Sequence, residues 1–374
     1  MHKTTFKYRI YPTKKQVHLF NQTLEECRYL YNHFLGERKY LYEEYATSIG
    51  LYDQIKALPV MKINRQSLAG VHSQVLQNVA VRVDLAFKAF FKRVKSGEKE
   101  VGYPRFKGMG YDSFTFPQVG YSIKDNTIVL SKVGEVKAII HKPIVGKIKT
   151  CNIRRVNQDK WYVTFSAEVE DTTLPESQER IGVDVGIEKF AMFSNGDKII
   201  NPKFFRRDEH DLARVNRKFS KTKIGSKERS NQRKVLNKIY ERISNRRSNF
   251  THQESRKIVN KYGIIAVEDL SINKMVHNHC LAKSISDVAW GQFFNYLSYK
   301  AENAGRKFVK VNPAYTSQTC SKCGHRQTLT LSDRVFNCPC CNLSIDRDHN
   351  ASLNILALGL ESLGIQSLEA VCFS

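Results

Sequence analysis

Nine cysteines lie along the 374-residue chain, and five of them fall between Cys320 and Cys341. Cys320-Ser-Lys-Cys323 and Cys338-Pro-Cys-Cys341 form two C-x-x-C pairs with fourteen residues between them. Each pair can clamp one edge of a metal ion, and a hairpin between the pairs brings them together around one tetrahedral Zn2+. Four thiolates leave no open position, so such a zinc is structural. Cys340 is the odd member: it can replace Cys341 only by giving up the two-residue spacing. His325 reads as a surface residue rather than a ligand. A second set of residues is acidic. Asp184 stands inside the apolar run IGVDVG, Glu268 closes the run IIAVE, and Asp348 comes just before the helix-like stretch NASLNIL. A carboxylate in an apolar strand is costly unless something compensates its charge.

An acid on a strand, an acid at a strand end and an acid at a helix start resemble the arrangement of an RNase H-like (RuvC) nuclease. Carboxylates so placed repel one another and need cations. Two Mg2+ ions about 4 Å apart would satisfy them, activate water and steady the leaving oxygen of a phosphodiester. The plainer alternative is three unrelated structural acids. Asp269, Glu188 and above all Asp346 compete for the same roles; Asp348 is preferred because the third carboxylate of this nuclease class directly precedes its helix. Arg347 and Asn350 are candidates to contact phosphate or to orient the acid.

The elements that must position these groups follow from periodicity. Residues 3–10 alternate as a strand. From Thr13, a good N-cap, apolar residues recur at helical spacing, and a loop is expected around Leu58–Pro59. Ser67–Lys95 reads as a second long helix. One face carries Val75, Leu76, Val79, Val83, Phe87 and Phe90, and the other Gln74, Gln77, Asn78, Arg82 and Lys88. That polar face is either solvated or a DNA contact, where amides suit adenine edges and cations suit phosphate. After the basic, Pro-broken segment GYPRFKGM, with Arg105 and Lys107, short β-patterned pieces follow at 113–117, 126–130, 136–143, 147–156 and 160–170. NQDK at 157–160 suits a hairpin turn. Strands this close together suggest a small barrel, joined by the first strand, with the helical block inserted into it.

The second half begins with strand, glycine turn and strand over Ile181–Gly196. Residues 206–261 read as a helical hairpin with its turn at 223–227, and hold 18 Lys or Arg against 6 Asp or Glu. Strands at 263–272 and 306–313 flank a helix over 286–305. The whole chain carries a net charge of +24, with 41% hydrophobic residues. That surplus points to a polyanion, nucleic acid before an anionic membrane, and its density in 206–261 favours backbone phosphates. No apolar run reaches the roughly 18–20 residues that span a bilayer. The opening residues lack the pattern of a signal peptide, so a cytoplasmic, nucleoid-associated protein is expected. No paired histidines flank an apolar residue, which speaks against an HUH-type nucleophile.

Together these residues resemble the TnpB family of transposon-encoded, RNA-guided DNA nucleases. The matching pieces are GVDVGIEKFA, VEDLSI, SISDVAWGQFF, NPAYTSQTCSKCGH and the run FNCPCCN before DRDHNASLNIL, with KYRIYPTKKQ and YPRFKG near the N-terminus. Asn342 stands where glycine is usual, and Ser352 where alanine is usual. The resemblance implies an α+β multidomain protein. A wedge-like β-barrel (1–12 and 100–173) would hold an inserted helical recognition domain (13–99). A RuvC-like α/β domain (178–374) would carry a basic helical insertion (205–261) and a zinc ribbon (315–345). It places the catalytic, Mg2+-binding triad on Asp184, Glu268 and Asp348, and the zinc ligands on Cys320, Cys323, Cys338 and Cys341. It also implies one structural Zn2+, two catalytic Mg2+, a noncoding guide RNA and target double-stranded DNA, with a monomer favoured. Gln74, Gln77, Asn78, Arg105, Lys107 and Arg347 are the candidate nucleic-acid contacts. A compact type V CRISPR effector and a guide-dependent DNA-binding regulator without cleavage are the alternatives.

Overall fold

The computed structural model describes residues 1–365 apart from 99, 157–159, 172, 273, 274, 276, 278–281, 331 and 332. The expected turn at 157–160, Cys280 and Cys372 therefore lie wholly or mostly outside the described residues. The chain divides into two compact units, Met1–Glu170 and Asp171–Ser374. Among the described residues no helix is long and apolar enough to cross a membrane.

In the first unit, β1 (His2–Tyr11), β2 (Ser113–Phe116), β3 (Tyr121–Lys124), β4 (Thr127–Leu130), β5 (Gly134–Ile139), β6 (Lys147–Val156) and β7 (Lys160–Val169) form one antiparallel sheet in the order β2-β6-β7-β1-β5-β4-β3. The first strand does join it, at the centre, paired with β7 and β5. Side chains alternate between faces with period two, so β7 buries Trp161, Val163, Phe165 and Ala167 while β1 buries Phe6, Tyr8 and Ile10. The sheet curls until its edges share packing: Phe116 on β2 and Tyr121 on β3 have ring centroids 6.4 Å apart. Among the described residues β2 and β3 do not pair, so the expected barrel is observed as a curled sheet. The four-residue strand β3 was not foreseen; YSIK is too short to declare itself.

Three helices lie in sequence between β1 and β2, as expected of an insertion: α1 (Lys14–Tyr45), α2 (Leu51–Asn64) and α3 (Ser73–Lys95). Thr13 caps α1 in a reciprocal capping box with Gln16. Phe20 then packs α1 on the sheet, 4.8 Å from the Trp161 ring and 5.7 Å from Phe114. The loop expected at Leu58–Pro59 is instead the interior of α2. Proline there forfeits a helical hydrogen bond, but Gln54 ties the helix down. Its buried amide donates to Phe34 O and Glu37 Oε2 and accepts from Arg38 Nε, all at 2.9–3.0 Å. The helix expected from Ser67 begins only at Ser73, after a 3-10 turn over Gln66–Gly70.

In the second unit β8 (Arg180–Val185), β9 (Lys189–Phe193), β10 (Lys198–Ile200), β11 (Ile264–Glu268) and β12 (Lys307–Val311) form a mixed sheet in the order β10-β9-β8-β11-β12. β11 runs parallel to both β8 and β12. The basic segment is two helices, α4 (Phe204–Lys221) and α5 (Lys227–Lys261), with Gly225 at φ +84° in the turn between them. The expected stripe of Leu236, Ile239 and Ile243 meets Leu212 and Val215 across this hairpin. The helix expected over 286–305 is broken in two, α6 (Ala282–Val288) and α7 (Trp290–Asn303), at Ala289 with φ +60°. The small antiparallel pair β13 (Val335–Asn337) and β14 (Ser344–Asp346) leads directly into α8 (Arg347–Ser362).

Candidate active site and metal centre

Parity along the strands decides where the acids point. Ile181, Val183, Ile265 and Val267 belong to one core with residues of α5 and α7, whereas Ala266 packs with Val311 and Ile355 of α8. Gly182 and Asp184, like Ala266 and Glu268, therefore face α8. The helix lies very close: a Cβ on Gly182 would fall 2.1 Å from Ser352 O, and one on Gly359 2.5 Å from Ala266 Cβ. From Gly182 to Asp184 the strand advances about 6.6 Å. From Ser352 back to Asp348 the helix retreats about 6 Å. Asp348, in the first turn of α8, thus comes level with Asp184. Gly182→Ala is expected to push the helix off the sheet, at a cost of about 1–3 kcal/mol. The protein's Tm would fall by about 2–4 °C per kcal/mol, which scanning calorimetry would measure.

Asp184, Glu268 and Asp348 line one cavity of about 1020 Å3, together with Lys189, Thr316 and Arg347. Burial pushes the Asp184 carboxyl well above the usual carboxylate range, and the charges of Glu268 and Asp348 push it further, against a smaller pull from Arg347. Glu268, 8% exposed, is also raised by burial, opposed by the Thr316 hydroxyl. Thr316 Oγ1 donates to Glu268 Oε1 at 2.6 Å. The donor set is thus carboxylate oxygen with its charge incompletely neutralised, which suits a hard divalent cation. Asp346 behaves differently. Its Oδ1 caps α8, accepting from the backbone N–H groups of Asp348 and His349, and its Oδ2 accepts from Lys189 Nζ at 2.7 Å. Lys189 Nζ also lies 3.5 Å from Asp348 Oδ2. Burial pulls the Lys189 ammonium down, but these two aspartates outweigh it and hold it above its ordinary value. Both oxygens of Asp346 hold the helix start, and it is Asp348, itself 3.5 Å from both Lys189 and Arg347, that lines the cavity with the other two acids.

The Sγ atoms of Cys320, Cys323, Cys338 and Cys341 all lie within 4.8 Å of one another. Cys320 and Cys341 sulfurs are 3.6 Å apart and Cys323 and Cys338 3.5 Å, close to the roughly 3.8 Å edge of a tetrahedron with Zn–S bonds of about 2.3 Å. Cys340 is exposed and outside this group, and His325 contributes its backbone oxygen, which accepts from Cys320 N–H. Backbone N–H groups of Cys341 and Cys340 outweigh the effect of burial and bring the Cys338 thiol down to about 6. Asn342, at φ +57°, explains why asparagine can stand where glycine is usual: it is one of the few other residues that tolerate the left-handed region.

The remaining candidates are scattered. Arg347 is at the carboxylate cavity, with Nη1 on Thr330 O. Gln74, Gln77 and Asn78 lie on α3, where Gln74 Oε1 accepts from Val119 N–H and Asn78 Oδ1 from Arg82 Nε, so both amides hold internal bonds. Arg105 is exposed, and the Lys107 backbone is pinned to the Asn32 amide. Sequence reasoning missed Lys189, Thr316 and Asn354. Nothing in their local pattern marks them, because the partners that matter lie between 35 and 159 residues away.

Residues 164–279 match a family model described as "Probable transposase", 290–355 one described as "Cas12f1-like, TNB domain", and 1–46 one described as "Helix-turn-helix domain". Over 1–46 the structure is a strand followed by one long helix. The chain is 31% identical over 368 residues to a "Putative RNA-guided DNA endonuclease" of Streptomyces pristinaespiralis, covering 96% of this chain and 90% of that protein. The chain belongs to the TnpB family. A second relative with the same description, InsQ of Escherichia coli K12, is 28% identical over 306 residues, 77% of this chain and 74% of its own. Among solved structures, the Cas12f1-sgRNA-target DNA complex aligns with a TM-score of 0.58 at 17% identity, over 91% of this TnpB-family chain and 82% of that chain. That likeness places the TnpB-family chain in the same fold.

Proposed function

We propose that the chain is a transposon-encoded, RNA-guided endonuclease that cuts double-stranded DNA complementary to its guide, beside a short adjacent motif. The observation that carries this reading is the meeting of Asp184, Glu268 and Asp348 in one cavity of a TnpB-family chain. The second unit then acts as the RuvC-like nuclease domain, with α4 and α5 as its basic insertion and the cysteine cluster as its zinc ribbon. In the first unit the curled sheet serves as the wedge and α1–α3 as the recognition helices. Asp184, Glu268 and Asp348 would hold two Mg2+ ions, which when bound supply an activated water and stabilise the leaving oxygen. Lys189 keeps the start of α8 in place through Asp346, and Arg347 offers a cation beside the cavity. The net charge of +24 suits work on nucleic acid.

The test is the RNA. Protein purified under nuclease-free conditions should carry one defined transcript from the transposon end, and reprogramming that guide should redirect cleavage. Finding no RNA, or cleavage indifferent to the guide, would overturn the proposal. Binding should also fall steeply with salt. For about 6–10 neutralised phosphates the expected loss is about 10^3–10^5 between roughly 50 and 200 mM salt, measurable by filter binding.

A further inference from the structure

Glu268 ends its strand with its carboxylate buried, and a carboxylate at a strand end has several rotamers open to it. One feature removes that freedom. Thr316, 4% exposed, donates its hydroxyl to Glu268 Oε1 at 2.6 Å, the length of a strong bond to an ionised oxygen. A second acceptor for that hydroxyl, Pro313 O, is farther away at 3.2 Å. Thr316 is itself fixed from below. Its backbone oxygen accepts from Asn354 Nδ2 at 2.8 Å, and the same amide reaches Thr319 O at 2.7 Å. Asn350, fully buried one turn earlier, donates to Thr319 O at 2.7 Å and accepts from Ser321 N–H at 2.9 Å. The stretch from Thr316 into the first cysteine knuckle is therefore stapled to α8, the helix that carries Asp348.

We infer that Thr316 is a positioning residue for cation binding: its hydroxyl holds Oε1 of Glu268 so that the other oxygen is the one offered to a metal ion. One helix then sets two of the three acids, Asp348 directly from its first turn and Glu268 through Asn354 and Thr316. The inference rests on the proposed nuclease reading, since it assigns Glu268 to the metal. Outer partners of metal ligands are typically worth about 10–100-fold in affinity or rate.

The test compares Thr316→Val, which keeps the shape and loses the hydroxyl, with Thr316→Ser, which keeps the hydroxyl, both in complex with guide RNA. Mn2+ binding is read directly by electron paramagnetic resonance, and cleavage of guide-matched DNA is followed in single turnovers at limiting Mg2+. Thr316→Val is expected to bind Mn2+ about 10-fold more weakly and to cut about 10–100-fold more slowly, with zinc content and target binding unchanged. The cleavage deficit should shrink at saturating Mg2+, and Thr316→Ser should behave as the unaltered protein. Equal impairment of the two variants, or loss of zinc or of target binding in Thr316→Val, would show a structural role and overturn the inference. So would normal Mn2+ binding by Thr316→Val. Glu268→Gln is the control for the parent reading. If it cuts normally, Glu268 is no ligand at all; if it is inactive while Thr316→Val is normal, only the inference on Thr316 fails.

Discussion

Asp184→Ala abolishes cleavage of guide-matched DNA and leaves guide and target binding nearly intact. This is the expected result because Asp184 lines one cavity with the other two acids from the middle of the sheet. On the proposed reading Asp184 is a cation ligand, and losing it removes charge stabilisation of several kcal/mol. Binding rests instead on the distributed positive charge, which the substitution does not touch. Cutting at an undiminished rate would take Asp184 out of the site. The same residue makes a second, opposite expectation. Its folded-state carboxyl titrates well above the value of 3.8 that it has unfolded. Between those two points the unfolded chain has lost the proton and the folded chain keeps it, so stability falls as pH rises through the window. Asp184→Asn carries no such loss. In chelator, its Tm should exceed that of the unaltered protein by a margin that grows with pH from about 4 upward, an exchange of stability against activity. A margin that shrank with rising pH would mean that the carboxyl is not raised.

Removing the metal from the cysteine cluster is expected to have the other large effect. Elemental analysis of fresh, reduced protein should find about one zinc per chain, and Cys320→Ala should lower that content and unfold the segment around it. Structural zinc sites of this kind hold their ion with an apparent free energy of about 10–16 kcal/mol in peptides, and among the described residues of the cluster Phe336 is the only fully buried ring. Protection of backbone amides at Cys320 and Cys338, read by hydrogen exchange, should vanish on chelation. Freshly prepared protein free of zinc and still protected there would sink the assignment.

Two of the three acids stand out in the chain, because Asp184 interrupts an apolar run and Glu268 closes one, whereas Asp348 is marked only by the helix that follows it. The registers of β8 and β11 then follow from burying Ile181, Val183, Ile265 and Val267 together. The cysteine spacing was equally plain. What could not be read was settled by distant contacts. Pro59 obeys its local rule as a breaker only until Gln54 fastens α2 to α1. The environment of Asp346 and Asp348 depends on Lys189, which is 157 residues from the first of them in sequence and reaches both. Thr316 sits in an ordinary-looking loop, and its importance comes from where Glu268 happens to end. Periodicity marks the polar face of α3 but says nothing of the loop whose Val119 N–H donates to the Gln74 amide, while Asn78 is engaged by Arg82 one turn along the same helix.

Parallel pairing of β8 with β11 has a consequence for the order of events in the cell. The two strands are joined through more than 75 residues, including both basic helices, and the third acid comes 80 residues later still. Partners so far apart in sequence meet late in folding. A chain still emerging from the ribosome can complete its first unit, and even expose the basic hairpin, before any carboxylate has met another. The three acids can meet only after the segment that carries both basic helices has been made.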